Sequence, residues 1–490
     1  MIMYEVGLYY ERLYKYHPNC DAEDLFSHIS EEHFQSLTEE ESISLEGEIS
    51  HSEIEYAIKN MKNNKAPGQD GFTVEFFKVF FEELGIYMMR SMNCAYTSGK
   101  LFISQNIGLI TLLPKGDKVR HFIKNWRPIS LLNVVYKILS SCIANRLKKV
   151  LPRIIHANQT GFMSGRFIGE NIRILYDIIA DTEKENVPGM ILLIDFEKAF
   201  DTVSHHFLYK TLYFFKFGSS FIKWIKILHS DAYSSVMVNG QITSRFRVGR
   251  GCRQGDPNSP YLFLLSAEIL GMLICNSHSV KGISVGSKEF KIIQYTDDTI
   301  LFLDGTAASF CNALHILDLF GNCSGLKINI QKTNAIWIGA SKCNEDIELE
   351  GRQVNYVHND FFRYLGADCH VVINKIPDYN YNRIFDKVKR QMISWIKRNI
   401  TVLGRVTVAK SLLLPQFNHL FMAIPDPSAK LMKTIKVKFF NFIWKNKPDK
   451  ISRKQVVGTY EEGGLKMPDI EFFNMLLKLT WLRRMVFRNM

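Results

Sequence analysis

The sequence predicts a mixed α+β fold from three observations. Residues 190–194 read MILLI, a continuous apolar run of strand length that is typical of a buried central strand. Two β-prone apolar runs within 291–303 flank Asp297 and Asp298, which predicts a hairpin with both carboxylates at its tight turn. From residue 371 onward, apolar residues recur at helical spacing. The residues that show this spacing are Phe385, Val388, Met392 and Trp395.

The positive charge of the chain is concentrated in its last quarter. The net charge of all 490 residues is +12, and 46% of them are apolar, enough for a large core. Residues 371–490 hold 23 Lys and Arg against 8 Asp and Glu, a net charge of +15, whereas residues 1–370 hold 38 against 41. This predicts a polyanionic partner, and nucleic acid is favoured over a membrane. The alternative is an ordinary basic surface.

The cysteines and apolar segments predict an intracellular protein. Neither a CxxC nor a zinc-knuckle spacing occurs, so we expect reduced thiols. The N-terminus has no basic segment followed by an apolar core, and the longest apolar run, 261–275, is too short for a membrane span and contains Glu268. We expect a soluble, unsecreted protein of the cytoplasm or nucleus. The cysteines are Cys20, Cys94, Cys142, Cys252, Cys275, Cys311, Cys323, Cys343 and Cys369.

The N-terminal third contains two cations placed close to loops. After an acidic extension, a capping box at 52–55 predicts a helix start, and residues 107–113 predict a strand that ends before Lys115. Arg127 follows in another non-helical segment, so the two cations are candidates to face a shared anionic ligand. Ordinary surface charge is the alternative. The next helix, 134–150, is predicted to expose Lys137, Arg146, Lys148 and Lys149.

A glycine-rich basic loop, GRGCRQGDP at 249–257, follows a hairpin predicted at Asn239-Gly240. Its glycine spacing fits neither a dinucleotide fingerprint nor a P-loop. Because glycine permits close backbone approach, we expect this loop to lie near a phosphate or a base.

Three carboxylates stand at the ends of predicted strands. Asp195 directly follows the run at 190–194, and Asp297 and Asp298 lie at the hairpin. Taken alone, the pair favours a solvated Asp-Asp turn over a metal site, because Asp is a common turn residue. Together, the three carboxylates could hold two divalent ions roughly 3.5–4 Å apart for phosphoryl transfer. Magnesium suits such all-oxygen ligands.

Six segments, in this order and at these separations, resemble the successive motifs of a known family. Three of them resemble the core motifs of reverse transcriptases, and the other three narrow the resemblance to the LINE-type, non-LTR retrotransposon branch. The resemblance covers roughly residues 50–370 strongly and the basic C-terminal region more loosely. The segments are KAPGQDG (65–71), NWRPIS (125–130), IDFEKAFD (194–201), RGCRQGDP (250–257), YTDD (295–298) and SGLKIN (324–329).

The resemblance implies a right-hand polymerase with fingers, a palm that contains an antiparallel sheet, and a helical thumb. The implied boundaries are an N-terminal extension at 1–50, fingers at 51–185, a palm at 186–370 with a fingers insertion at about 202–245, and a basic helical thumb at 371–490.

The same resemblance implies a role for each motif residue. Asp195, Asp297 and Asp298 would hold two Mg²⁺ ions, or Mn²⁺ in their place, with the backbone of Phe196 as a further ligand. Lys332 matches a general acid toward pyrophosphate, and its alternative is a structural surface lysine.

Further positions match the nucleotide pocket and the primer grip. Lys115 and Arg127 match residues that hold the triphosphate, Gln254 matches a nucleotide-pocket residue, and Phe200 matches an aromatic gate against the ribose 2′-hydroxyl. A core phenylalanine is the alternative for Phe200. The primer grip matches Tyr364, Leu365 and Gly366.

The implied activity is RNA-directed DNA polymerisation, with an RNA template, a DNA primer and deoxynucleoside triphosphates as partners. The alternative is an inactive remnant that binds RNA, because Asn258 and Thr296 depart from the family pattern beside the site. A polymerase that makes RNA from an RNA template is disfavoured by Phe200, the aromatic gate against the ribose 2′-hydroxyl. The absence of an upstream endonuclease segment and a downstream Cys/His-rich segment indicates the polymerase part of a longer or decayed element.

Overall fold

The structure, a computed structural model, describes residues 2–17, 23–29, 34–116, 118–341, 345–347, 354–358 and 360–488. Cys20 and Cys343 lie outside these residues. The chain divides into two compact units, each described below by itself. The first unit comprises Met1–Arg166, Met190–Ala335 and Asp346–Asn355, and the second comprises Phe167–Gly189, Ile336–Glu345 and Tyr356–Met490.

Helices and strands alternate through the first unit and helices dominate the second, so the predicted mixed α+β fold is confirmed. The helices are α1 (Ile2–Tyr14), α2 (Glu23–Ser27), α3 (Glu39–Ser44), α4 (His51–Asn60), α5 (Val74–Val79), α6 (Phe81–Ser98), α7 (Val134–Ile154), α8 (Ile168–Lys184), α9 (Ala199–Thr202), α10 (His205–Phe214), α11 (Ser219–His229), α12 (Ser259–Asn276), α13 (Ala307–Ser324), α14 (Ile376–Ile396), α15 (Val402–Val408), α16 (Asn418–Ala423), α17 (Ala429–Ile443), α18 (Arg453–Val457) and α19 (Ile470–Arg488).

Strands are short in both units. They are β1 (Ile107–Pro114), β2 (Trp126–Leu132), β3 (Pro188–Ile194), β4 (Tyr233–Val238), β5 (Gln241–Ile242), β6 (Phe246–Arg247), β7 (Ile283–Val285), β8 (Lys288–Phe290), β9 (Ile292–Tyr295), β10 (Asp298–Leu303), β11 (Asn334–Gly339), β12 (Asn355–Tyr356), β13 (Phe362–Tyr364) and β14 (Ala367–Cys369).

Two sheets organise the first unit. In one, β1 lies between β2 and β4, with β2 antiparallel and β4 parallel to it. In the other, β10 lies between β3 and β9 and is antiparallel to both. Met190, Ile191 and Leu192 are fully buried, so the predicted central strand is confirmed. Asn239 and Gly240 both have positive φ, 50° and 82°, as the predicted tight turn between β4 and β5 requires.

The helix α12 of the first unit is long and apolar enough, by length and composition, to cross a membrane. The sequence prediction that this segment is too short was therefore wrong on length, because the helix runs from Ser259 to Asn276. However, 78% of it is buried inside the protein, where it packs against α10, α13 and β9. An apolar helix buried in this way forms part of the core of its unit.

Two predictions in the N-terminal third were wrong in detail. The capping box of α4 is formed by Ser50 and Glu53 rather than by residues 52–55, since the side chain of each bonds the backbone N–H of the other. Arg146 is not exposed but only 6% accessible. Its guanidinium donates to Glu53 Oε1 at 2.6 Å and to the carbonyl oxygens of Leu45 and Glu48 at 3.0 and 2.7 Å, so it links α7 to the start of α4.

Candidate active site

The antiparallel register of β3 and β10 brings two of the predicted carboxylates to one end of the sheet. Ile194, the last residue of β3, pairs with Thr299 in β10. One step further along this register, Asp195 stands opposite Asp298, the first residue of β10. The two strands are buried along nearly their whole length, so their paired ends lie at one edge of a packed sheet.

The third carboxylate lies at the turn beside them. Tyr295 pairs with Asp298, so Thr296 and Asp297 are the two central residues of a tight hairpin turn. Thr296 has φ of 60°, a left-handed conformation that is unusual for a β-branched residue. Asp297 and Asp298 are exposed. The predicted hairpin with both carboxylates at its end is therefore confirmed.

The three carboxylates perturb one another electrostatically. Desolvation by the surrounding protein, followed by the negative charges of Asp297 and Asp195, raises the pKa of Asp298 to about 6. The pKa of Asp297 is also raised, by desolvation and by Asp195, and the positive charge of Arg127 opposes this shift. The part of each shift that comes from the neighbouring carboxylates is one that a bound cation would relieve.

The segment after β3 is held by a second backbone pairing. The N–H of Glu197 donates to the carbonyl of Lys327 at 2.9 Å, and the N–H of Asn329 donates to the carbonyl of Asp195 at 2.7 Å. These two bonds flank a bridge between Phe196 and Ile328 and leave the Phe196 carbonyl directed away from that pairing. This carbonyl is therefore available as a backbone oxygen next to Asp195.

Lys332 contacts the carboxylate cluster directly. It ends a short 3₁₀ helix, Ile330–Lys332, and its Nζ lies 3.2 Å from Asp195 Oδ2. Both side chains are about half exposed, so the pair is worth little to stability. Its position brings an ammonium proton to the carboxylate cluster.

The donor set fits a hard divalent cation. The carboxylates and the Phe196 carbonyl offer only oxygen atoms, which Mg²⁺ prefers, and the carboxylate charges are poorly compensated. Within the described residues, no three His, Cys, Asp or Glu side chains are already arranged closely enough to enclose a metal ion. Asp195 is instead paired with Lys332, so cation binding would displace that contact.

Lys115 and Arg127 lie at the same end of the β1–β2 hairpin. The N–H of Lys115, just after β1, donates to the carbonyl of Asn125 at 2.9 Å, and Arg127 pairs with Leu113. Arg127 is exposed, and Lys115 is half-buried with its Nζ 3.0 Å from the carbonyl oxygen of Lys124. Desolvation and the neighbouring charges of Lys118, Lys332 and Arg127 lower the pKa of Lys115. The structure thus brings these two predicted cations near the carboxylate end of the second sheet.

Phe200 and Gln254 lie on either side of a buried carboxylate that the sequence reasoning missed. Phe200 is half-buried and stacks on Phe263 of α12 with 4.4 Å between ring centroids. Asp201 is only 4% exposed and accepts hydrogen bonds from Tyr14 Oη at 2.8 Å and from the Gln254 side chain. Burial raises the pKa of Asp201 to about 6 although Tyr14, Lys198 and Lys115 oppose the shift. Asp201 is the last residue of the motif at 194–201, and its place in that motif was the sequence signal that could have identified it.

The glycine-rich loop approaches the protein's own backbone. A Cβ at Gly251 would lie 2.7 Å from the carbonyl oxygen of Asp201, and one at Gly255 would lie 2.5 Å from that of Ser130. Both glycines also have positive φ, 89° and 119°. Both glycines thus permit close contact with the protein's own backbone, and Gly255 fits the loop against β2, whereas the expected approach to a phosphate or a base stays a prediction.

The predicted primer grip forms a hairpin of the second unit. Leu365 and Gly366, with φ of 45° and 84°, turn the chain between β13 and β14. Tyr364 is only 3% exposed, and its hydroxyl accepts a hydrogen bond from Asn171 Nδ2 at 3.3 Å. His419 Nε2 lies 2.9 Å from the Leu365 carbonyl oxygen. The turn backbone, rather than the tyrosine ring, is thus the accessible part of this segment.

The two departures from the family pattern are both buried. Asn258 is 0% exposed, and neither its side-chain oxygen nor its side-chain nitrogen has a hydrogen-bond partner. A buried amide without partners destabilises a fold by roughly 1–3 kcal/mol for each unsatisfied group. Thr296 is 6% exposed and forms the first position of the hairpin turn.

Comparison with known proteins places this geometry in a family. Residues 113–369, about half of the chain, match the family described as reverse transcriptase (RNA-dependent DNA polymerase). The match contains the β1–β2 hairpin end, all three carboxylates and the β13–β14 hairpin.

Curated relatives come from mobile elements. The chain is 30% identical to a transposon TX1 uncharacterized 149 kDa protein of Xenopus laevis over 82% of its own length and 30% of the relative. It is 26% identical to a Pol polyprotein of retrotransposable element R2DM of Drosophila melanogaster, over 86% of this chain and 39% of the relative. It is 23% identical to the RNA-directed DNA polymerase from mobile element jockey of the same fly, over 75% and 40%.

The chain spans about a third of the length of these relatives. The similarity extends over most of this chain, and the matched region contains the carboxylate cluster and its surrounding cations. The chain therefore belongs to the reverse transcriptase family, in its LINE-type, non-LTR retrotransposon branch.

Proposed function

We propose that this chain extends a DNA primer by copying an RNA template, using deoxynucleoside triphosphates as substrates. The observation that carries the proposal is the strand register that sets Asp195 opposite Asp298, with Asp297 at the adjoining turn. In this reaction the primer 3′-hydroxyl releases its proton to solvent and its oxygen bonds to the α-phosphorus. The bond from that phosphorus to the bridging oxygen breaks, and pyrophosphate leaves.

The carboxylate cluster is the proposed site of two Mg²⁺ ions, for which Mn²⁺ could substitute. Asp195, Asp297 and Asp298 would hold them, together with the Phe196 carbonyl. When bound, such ions lower the pKa of the primer hydroxyl and neutralise charge on the triphosphate. The pKa of Asp298 is raised to about 6 by desolvation and then by the charges of Asp297 and Asp195, and this last contribution supports the assignment because a bound cation would relieve it.

The cations near the cluster have complementary proposed roles. Lys115 and Arg127 orient the triphosphate, since both extend from one hairpin end and carry charge toward the carboxylate cluster. Lys332 donates its ammonium proton to the departing pyrophosphate. The 3.2 Å contact between its Nζ and Asp195 supports a position beside the reacting groups.

Phe200 and Gln254 are proposed to shape the nucleotide pocket. The stacked Phe263 ring limits movement of Phe200, as a gate against a 2′-hydroxyl requires. Phe200→Val is expected to admit ribonucleotides, measured as the ratio of kcat/KM for ribo- and deoxynucleoside triphosphates. An unchanged ratio would refute the gate assignment.

We also propose that the chain has the fingers, palm and thumb subdomains of the family. Fingers would occupy residues 51–185, the palm 186–370 with an insertion at about 202–245, and a basic thumb 371–490, after an extension at 1–50. The exposed cations Lys387 and Arg390 on α14 and Lys397 just after it support a nucleic-acid contact by the thumb, since Phe385 and Val388 of the same helix are buried. The Leu365–Gly366 turn would hold the primer end. The protein would act inside the cell.

The test is primer extension on an RNA template with Mg²⁺. Wild type should incorporate deoxynucleotides, and Asp297→Ala should lower incorporation by at least about a thousandfold, the scale of lost electrostatic stabilisation at a reacting centre. Asp304→Ala, which removes an exposed-loop carboxylate after β10, is the control and should retain activity. Equal incorporation by wild type and Asp297→Ala would contradict the proposal.

A second candidate is a catalytically idle remnant that binds RNA. The buried, unpartnered amide of Asn258 next to the glycine-rich loop favours it, as does the +15 charge of residues 371–490. It predicts salt-sensitive RNA binding without metal-dependent synthesis. Asn258→Leu separates the two candidates, because restored packing should increase an existing activity but cannot create one where the carboxylates do not act.

A further inference from the structure

The side chain of Gln159 bonds both backbone groups of Thr296. Its Oε1 accepts a hydrogen bond from the Thr296 N–H at 2.9 Å, and its Nε2 donates to the Thr296 carbonyl at 3.4 Å. Gln159 is fully buried, so these bonds form away from water, where unmade bonds are most costly. One side-chain amide thus pairs both the N–H and the carbonyl of Thr296, the first central residue of the turn between β9 and β10.

Thr296 needs such support because of its conformation. With φ of 60°, its backbone is left-handed, and a β-branched side chain disfavours this state. The residue that follows is Asp297, so any relaxation of φ at Thr296 would redirect the carboxylates. Strain of this kind persists only when surrounding contacts fix it.

The segment that carries Gln159 is itself fixed to the hairpin. The N–H of Gln294 in β9 donates to the Asn158 carbonyl at 2.8 Å, and the N–H of Thr160 donates to the Gln294 carbonyl at 3.0 Å. The Arg166 guanidinium donates to the carbonyl oxygens of Ile155 at 2.7 Å and of Gln159 at 2.5 Å. Gln159 is therefore presented by a rigid segment rather than by a free loop.

Gly161 completes the contact. Its N–H donates to Gln159 Oε1 at 2.9 Å. A Cβ at this position would lie 2.3 Å from Thr296 Oγ1 and 2.6 Å from Thr296 N. Only glycine permits the segment to lie this close to the turn.

We propose that Gln159 is a positioning residue, which fixes the backbone of Thr296 and thereby aims Asp297 and Asp298. Gln159 acts through Thr296 and touches no reacting atom. The inference rests on the proposed polymerase function, because aiming the carboxylates matters only where they act in catalysis. It assigns the 158–161 segment, outside the six family motifs, to support of the carboxylate cluster.

The test replaces Gln159 by methionine, which has a similar length but cannot make either bond. The chain offers a matched control in Asn93, whose amide accepts from the Ile49 N–H at 2.9 Å and donates to the Ile49 carbonyl at 3.0 Å. Asn93→Leu removes the same pair of bonds between α6 and the segment before α4, which contains none of the proposed site residues. Hydrogen exchange of individual amides and steady-state primer extension are measured for both variants.

Gln159→Met should accelerate exchange of the Thr296 amide and lower kcat, each by at least about tenfold, a change equivalent to about 1.4 kcal/mol. The KM for the deoxynucleotide should stay within about twofold. Asn93→Leu should accelerate exchange at Ile49 and leave both the Thr296 amide and kcat unchanged. Wild-type exchange at Thr296 in Gln159→Met, or an equal loss of kcat in both variants, would overturn the proposal.

A rescue variant separates positioning from general loss of stability. Glycine adopts positive φ without strain, so adding Thr296→Gly to Gln159→Met should recover at least about threefold in kcat. No recovery would count against positioning. If Gln159→Met fails to fold, Gln159→Asn takes its place, since the shorter amide cannot make both bonds. If wild type incorporates no nucleotide, the proposed function fails. The exchange measurement still shows whether the Gln159 side chain fixes the Thr296 backbone.

Discussion

The β1–β2 hairpin end and the glycine-rich loop at 249–257 are both basic, but they use their cations in opposite ways. Arg127 at the hairpin end is exposed, and its charge acts on Asp297. Arg253 in the loop is only 5% exposed; its guanidinium donates to Asn106 Oδ1 at 2.8 Å and lies 4.5 Å from the Tyr136 ring centroid. Arg250 donates to the carbonyl oxygen of Leu13 at 2.8 Å.

The difference shows that the arginines of a basic loop can bond the protein itself. In the 249–257 loop, the arginines bond neutral oxygens of the protein and hold the loop against α1 and β1. At the hairpin end, Lys115 and Arg127 remain partly or fully accessible to a ligand. Substitutions of the two loop arginines, Arg250 and Arg253, should therefore affect mainly stability, and those of the hairpin-end cations mainly substrate binding.

The largest expected effect is on stability, from Arg253→Met. It leaves the buried Asn106 oxygen without its donor and should lower the free energy of unfolding by about 3 kcal/mol. Urea unfolding followed by circular dichroism measures this change. A loss below about 1 kcal/mol, with a raised nucleotide KM, would instead indicate that Arg253 contacts the substrate.

Arg127→Ala should have the opposite profile. We expect the KM for the deoxynucleotide to rise by about ten- to a hundredfold, or roughly 1.4–2.8 kcal/mol, with unfolding changed by less than about 0.5 kcal/mol. Arg120→Ala, another exposed cation near this hairpin end, is the control and should leave KM unchanged. Similar KM values for the two variants would remove the distinction between the hairpin end and the loop.

Asp201 lies between the two regions and gives a pH test. Its folded-state pKa, about 6, exceeds the unfolded value near 3.9, so folding binds a proton between these pH values and stability falls as pH rises through this window. Asp201→Asn should remove this fall and raise the free energy of unfolding at pH 7 by up to about 2 kcal/mol. The measurement is urea unfolding at pH 4 and 7. An unchanged pH dependence would contradict the assignment.

The smallest expected effect comes from Arg250→Met. Loss of its hydrogen bond to Leu13 should lower the free energy of unfolding by about 1 kcal/mol without a change in nucleotide KM. Thermal unfolding and steady-state kinetics check the two parts. A higher KM with unchanged stability would indicate that Arg250 contacts the substrate and does not stabilise the fold.

Local sequence pattern was sufficient for the strands that carry the carboxylates. The apolar run at 190–194 and the two runs around Asp297 predicted the strands and the hairpin, whereas the pairing of Ile194 with Thr299 came from the structure. The six ordered motifs also identified the family. The start of α4 was misplaced by two residues, since Ser50 and Ser52 are equally good capping residues in sequence and only the bonds to Glu53 distinguish them.

The sequence by itself predicted Asp195, Asp297 and Asp298 at strand ends, in the order of the reverse transcriptase motifs, and so proposed them as the residues that carry chemistry. Only the tertiary structure decided which charges are buried by the protein and which stay accessible, and what supports the Asp297–Asp298 turn. Arg146 and Arg253 are buried by partners distant in sequence, and Gln159 is 137 positions from Thr296. Local periodicity predicts strands and helices, whereas contacts between distant side chains depend on how those elements pack together.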